Sequence, residues 1–295
     1  MKLRFCLSII SVSLLFLLVG CLSMKSDDDY YMRVQDYTGE EYTLANGRRT
    51  NQIANDNQEI VEEAVIRFFR EQYKTDVVVH NIVGNVDGAT VFVESVGEPH
   101  FYSYAIIPID VKNEQIMTEH VWSQERQVEN AIVTGLYGMV YHEKFENLDH
   151  ILEGLFKEYS IVGHTMGAVA NIGGSGYSNP YYFVQVSNSA VFEEVWKTYL
   201  NEPSKSKEEW MVLFKESGFD AESIGVGMHL FMEEENVEPN QDALDSIASA
   251  IEEADQIPIG TYSISLHDNR VRKSSGRGDK ENSIDRADPN DIIKE

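Results

Sequence analysis

From residue 56 onward the hydrophobic positions fall first at helical and then at strand spacing. Ile60, Val61, Ala64, Val65, Phe68, Phe69 and Tyr73 recur every three or four residues and make one apolar stripe, with Glu63 and Arg67 facing each other at i, i+4. Asp56 and Glu59 have the spacing of a capping box at the start of this helix. Runs rich in β-branched and aromatic residues follow at 77–83, 89–96, 101–109 and 115–122 and predict four strands. Asp87-Gly88 separates the first two and predicts a hairpin, because glycine accepts the positive φ of a primed turn. A helix whose stripe covers one face of an antiparallel sheet is a compact α+β unit, here spanning 55–122.

The pattern then becomes more helical. Val128, Ile132, Leu136, Met139 and Val140 form one stripe; Leu148, Ile151, Leu152, Leu155, Phe156 and Tyr159 form another. Residues 161–177 are looser and carry five glycines, and 181–186 reads as a strand. Ser189 opens a helix through Leu200, and Ser206 with Glu209 is a capping box for a helix closed by Gly218. A strand at 224–232, a helix at 240–254 and a strand at 259–266 complete a helix-rich α+β unit at 123–268. Residues 269–295 are polar and highly charged, which predicts a disordered tail. The order of residues 69–73, His80 and 95–102 is echoed by 156–159, His164 and 175–182, either by coincidence or because two related α+β units follow one another.

Before residue 55 the chain reads as an address. Lys2 and Arg4 precede an apolar stretch of about signal-peptide length, shorter than the roughly 20 residues a spanning helix needs. Leu18-Val19-Gly20-Cys21 resembles a bacterial lipobox, which predicts a signal peptide at 1–20 and a diacylglycerol-modified Cys21. Residues 21–54 then form the lipidated cysteine, a tether and an irregular lead-in. Cys6 would leave with the signal and Cys21 would carry lipid, so no thiol remains for a disulfide, a zinc cluster or a nucleophile. With 49 Asp and Glu against 24 Lys and Arg the net charge is −25, which disfavours nucleic acid as a partner and leaves the membrane, reached through the lipid, as the one partner the sequence names.

Candidate chemistry is sparse. His142, Glu146 and His150 have the spacing of one helix face, but a zincin requires histidine at the i+4 position and Asn147 looks like the cap of a following helix. The glycines around Ser175 fit neither a P-loop, which needs a lysine, nor a nucleophile elbow, whose second glycine position holds Tyr177. Arg277-Gly278-Asp279 reads as a chance match to the integrin-binding triplet. His80, His100, His164 and His229 show no paired carboxylate and nucleophile, so no catalytic triad assembles and no cofactor is implied.

The lipobox, the run Met32-Arg33-Val34-Gln35-Asp36-Tyr37, and residues 79–84 leading into 89–100 resemble the lipoproteins of low-GC Gram-positive bacteria grouped as domain of unknown function 1672. The resemblance implies a cell-surface lipoprotein on the extracytoplasmic face of the cell membrane, and it brings no catalytic residues. The leading expectation is a non-catalytic binding or interaction module with an unassigned protein or small-molecule partner. The alternative is a cell-surface hydrolase, metal-assisted through His142, Glu146 and His150. A transporter's solute-binding protein would need two similar α/β lobes, and the regular βαβ alternation of such lobes is missing.

Overall fold

A computed structural model describes residues 30–174 and 176–295. Chain contacts separate Met1–Tyr31 from Met32–Glu295, and the helices and sheets described below belong to the second unit. Two consecutive helices, α1 (Arg48–Asp56) and α2 (Gln58–Tyr73), precede the first sheet. Asp56 ends α1 and therefore caps nothing; the N-cap of α2 is Asn57, whose carbonyl accepts from Val61 N at 3.1 Å. The inward stripe of α2 is Val61, Ala64, Val65 and Phe69. Ile60 is 47% exposed and Phe68 is half-buried, because a period of 3.6 residues places both at the flanks of that stripe. Lys74, in the left-handed conformation at φ 57°, closes the helix.

Strands β1 (Val77–Gly84), β2 (Gly88–Ser95), β3 (Tyr102–Asp110) and β4 (Gln115–Ile116) form an antiparallel sheet in sequence order. The fourth strand is shorter than its sequence pattern: the chain leaves it for a 3₁₀ turn at Thr118–His120 and returns only at Trp122, which exchanges backbone hydrogen bonds with Ile106 at 2.7 and 3.0 Å. Gly88 does close the hairpin, with Asn85 N donating to its carbonyl at 2.8 Å, but without a positive φ. Its need for glycine is steric, since a Cβ there would overlap the Ile107 carbonyl. Ala89, Val91, Val93, Ala105, Ile107 and Ile109 bury one face of the sheet with α2 and with α3 (Gln127–Val140).

After α3 come α4 (His142–Tyr159), β5 (Ile161–Val162), α5 (Met166–Ile172), β6 (Tyr182–Val186), α6 (Glu193–Asn201), α7 (Lys207–Ser217), β7 (Ile224–Met232), α8 (Gln241–Glu253), β8 (Gly260–His267), β9 (Arg270–Arg272), β10 (Ile284–Arg286) and β11 (Ile292–Lys294). The second sheet is built on a parallel β7–β8 pair joined through α8, a βαβ crossover. β5 and β6 pair with the free edge of β7, while β10 and β11 pair with the free edge of β8, all antiparallel. This mixed sheet has neither the order nor the strand directions of the first, so the internal sequence similarity has no counterpart in topology.

Two of the expected boundaries are corrected. Residues 269–295 are not a disordered tail: β10 and β11 complete the second sheet, Val271 is fully buried, and Ile292 is 5% exposed. Asn269, also fully buried, donates through Nδ2 to the carbonyls of Met232 and Glu233 at 2.8 and 2.7 Å and to Gln35 Oε1 at 2.8 Å. A polar composition forbids an independent core, but main-chain pairing to an existing strand edge needs few apolar anchors. The lead-in is likewise structured from residue 32: Val34 and Tyr37 pack with Ala168, Phe231 and Val271 in a small second cluster. The main cluster runs without interruption from Ile53 to Ile292, so 55–122 and 123–268 share one core.

Candidate functional site

An open groove of about 530 Å³ lies where α2, the segment after β4, α3 and α6 meet. Phe68 and Tyr73 enter it from the flank of α2 that the stripe leaves half-covered, their rings edge-on with centroids 5.6 Å apart. Trp122 enters from the strand that broke off after Ile116 and is 46% exposed. Tyr73 Oη and Ser123 Oγ are hydrogen-bonded at 3.0 Å. Burial pushes the Tyr73 phenol up, the Ser123 bond opposes this, and the nearby Glu129 carboxylate adds to it. Arg67 at the rim is committed, donating to Glu119 at 2.9 Å and to the Thr118 carbonyl at 3.3 Å. Glu129, in the first turn of α3, lines the groove, and its buried Oε2 accepts no hydrogen bond from any described residue. A buried polar atom left unpaired costs roughly 1–3 kcal/mol, and more when charged, so this oxygen marks a place for a donor.

Two histidine clusters lie elsewhere. His80 is the extra residue of a β-bulge between Val79 and Asn81, and a bulge redirects its side chain. Its Nε2 meets Glu94 Oε2 at 2.6 Å, while His100 Nε2 meets Oε1 of the same carboxylate at 2.8 Å. Burial alone would raise the Glu94 carboxyl, but the bonds from His100 and His80 outweigh it and hold it below the usual range. The Tyr102 phenol is pushed up to about 12 by burial and by the charge on Glu94. Such an imidazole–carboxylate–imidazole chain can hold or pass a proton.

The second cluster sits on the other sheet. His229 and His267 stack at 5.7 Å with Nδ1 and Nε2 3.4 Å apart, and Phe183 stacks on His229 at the same spacing. His267 Nδ1 bonds Ser283 Oγ at 2.8 Å, so the folded tail supplies one partner. His164 packs edge-on against Phe231, and its buried Nδ1 has no partner among the described residues. Burial, reinforced by neighbouring imidazoles, pushes both His164 and His267 down to about 4.

The residues singled out from sequence fare differently. Cys21, with the whole of the signal and lipobox, lies outside the described residues. Asn147 does not interrupt a helix: α4 is continuous because Phe145 and Leu148 extend its buried stripe, and Asn147 Nδ2 donates to the Gln256 carbonyl at 3.0 Å. His142 and Glu146 therefore meet at 3.4 Å, but His150 turns to Glu153 at 3.8 Å, all four being exposed. Among the described residues no three His, Cys, Asp or Glu side chains are grouped to hold a metal ion. The glycine loop packs the second half onto the first: Gly174 lies against the Tyr104 ring, and Gly176, at φ 98°, lies where a Cβ would overlap Thr134 Oγ1. Gly278 of the Arg-Gly-Asp triplet is pressed against Phe231 and His267. Residue spacing alone does not reveal the His–Glu–His chain; the hairpin at Asp87-Gly88, which puts His80 and Glu94 on adjacent strands, is the sequence signal for it.

The family described as a protein of unknown function, DUF1672, matches residues 24–294. The structure resembles the crystal structure of a DUF1672 family protein from Staphylococcus aureus subsp. aureus Mu50, with a TM-score of 0.73 and 16% identity over 90% of this chain and 98% of the other. A likeness at that identity is one of fold. No curated protein matches the sequence. No described helix is long and apolar enough to cross a membrane. With residues 24–294 of its 295 matched by the family, the chain belongs to the DUF1672 family.

Proposed function

We propose that this protein is a lipid-anchored, extracytoplasmic binding module whose ligand occupies the groove between α2, the Trp122 segment and α3. The observation that carries the reading is the groove itself: a ligand-sized recess with an aromatic wall and one buried, unpartnered carboxylate oxygen at Glu129. Lys2, Arg4, the apolar run and Gly20-Cys21 support the anchor, and the acidic surface supports life away from nucleic acid.

The alternative, a cell-surface hydrolase, draws on the Glu94 carboxylate bridging His80 and His100. Metal assistance through His142, Glu146 and His150 has no support in their geometry, since His142 and Glu146 pair with each other while His150 turns to Glu153. Native mass spectrometry of the full-length protein extracted from its own membranes tests the binding reading. A bound small molecule should accompany the wild type and be lost from Trp122→Ala; a wild type that carries no adduct, or a variant that retains it, contradicts the groove as the site.

A further inference from the structure

Resting on the binding-module reading, we infer that the groove selects an alkylammonium group, with the nitrogen at the Glu129 carboxylate and the carbon chain along Phe68, Tyr73 and Trp122. Four features of the groove converge on that chemistry. The first is charge: the lining carries Glu71, Glu119 and Glu129 against Arg67 alone, on a protein whose net charge is −25. An anion entering here meets an unfavourable field. Arg67 offers an anion little, because its guanidinium is already engaged by Glu119 and the Thr118 carbonyl.

The second feature is the orphaned oxygen. Glu129 Oε2 is buried and accepts from no described residue, so it gains most from a ligand that donates a charge-assisted hydrogen bond. A primary ammonium does so; an alcohol donates more weakly, and a carboxylate is repelled. The third is the aromatic wall, whose ring faces attract cations and whose area buries methylenes. The fourth is what the groove lacks as a site for a bare metal ion. A calcium ion takes six to eight oxygens, whereas the groove's carboxylates are not among any three acidic or histidine side chains grouped to hold a metal ion among the described residues, and the Tyr73 and Ser123 hydroxyls are bonded to each other.

The test uses the full-length protein in nanodiscs of neutral lipid and three probes of equal length: n-hexylammonium, n-hexanol and hexanoate. Trp122 lines the groove and is half-exposed, so tryptophan fluorescence with calorimetry reads occupancy. Hexylammonium should bind saturably and about tenfold or more tighter than hexanol, and hexanoate should not bind. Glu129→Gln should cost hexylammonium about tenfold while leaving hexanol unchanged, and Trp122→Ala should weaken both. Thermal melts confirm that each variant is folded, and Glu71→Gln, at the exposed mouth, serves as a second charge variant with a smaller loss expected. Hexanol or hexanoate binding as tightly as hexylammonium, or a folded Glu129→Gln with undiminished hexylammonium affinity, overturns the ammonium assignment but leaves a groove that binds ligands. Absence of saturable binding by all three probes overturns the groove as a ligand site.

Discussion

Truncation after Asp268 should abolish cooperative folding or lower the melting temperature by tens of degrees. The deletion removes Asn269, whose amide satisfies the Met232 and Glu233 carbonyls, and both β10 and β11, which pair six residues of β8. It also removes the buried side chains of Val271 and Ile292, each worth about 1.5–3 kcal/mol in apolar burial. Together with the lost main-chain pairing, the deficit is on the order of 5 kcal/mol or more, comparable with the whole stability of an ordinary domain. The bared edge of β8 would in addition offer unpaired backbone to a second chain, so soluble aggregates are expected beside the unfolded monomer. Circular dichroism melts and size-exclusion chromatography of the 1–268 chain check this. A sharp transition within a few degrees of the full-length protein would mean that the terminal strands add nothing to the fold.

Acidification should destabilise the protein well before the carboxylates titrate. His267 is 2% exposed and is pushed down to about 4, and His164 is also pushed down to about 4. Besides burial, His267 feels His229 and Lys280, which lower it, and Asp279 and Asp268, which raise it. In the unfolded chain a histidine titrates near 6.5. Above that value both states are neutral and the two histidines contribute nothing to the pH dependence. As pH falls from about 6.5 to about 4 the unfolded chain takes up protons that the fold refuses, so stability drops, by roughly 3 kcal/mol for His267 alone, and levels off below the folded values. Urea unfolding at pH 7.5, 6.5, 5.5 and 4.5 reads the slope, which should be shallower in His267→Gln because that variant removes one such group and relieves His164 of one neighbouring imidazole. Equal stability at pH 7.5 and 4.5 would contradict a fold that keeps His164 and His267 neutral.

What could be read from sequence was local. The capping box at Ser206 and Glu209 with Gly218 at φ 68°, and the α2 stripe centred on Val61, Ala64, Val65 and Phe69, depend on residues a few positions apart and appear as expected. β7 occupies Ile224–Met232, as its continuous apolar run predicts, because a strand buried on both faces needs no alternation. The misses have non-local causes. α5 was hidden by Gly163, Gly167 and Gly173, which depress helix propensity, although Thr165 caps it by accepting from Ala168 N at 3.0 Å. β10 and β11 are three residues each and exist because β8 offers an edge. The groove draws Phe68, Trp122, Glu129 and Leu200 from four segments, and its aromatic mouth opened only because β4 stopped at Ile116. His80 reached Glu94 through a bulge, a one-residue slip that period-two reasoning does not register.

The most direct test of a lipid-anchored binding module is the chemistry of its mature amino terminus. A single acyl chain holds a protein at a membrane only marginally and two hold it stably, at about 0.8 kcal/mol per buried CH₂, so the proposed diacylglycerol on Cys21 is what would keep the module at the cell surface. Intact and peptide-level mass spectrometry of protein extracted from native membranes should find a chain that begins at Cys21 and carries diacylglycerol on its sulfur. A mature chain that begins at any other residue, or a Cys21 without lipid, would contradict the account.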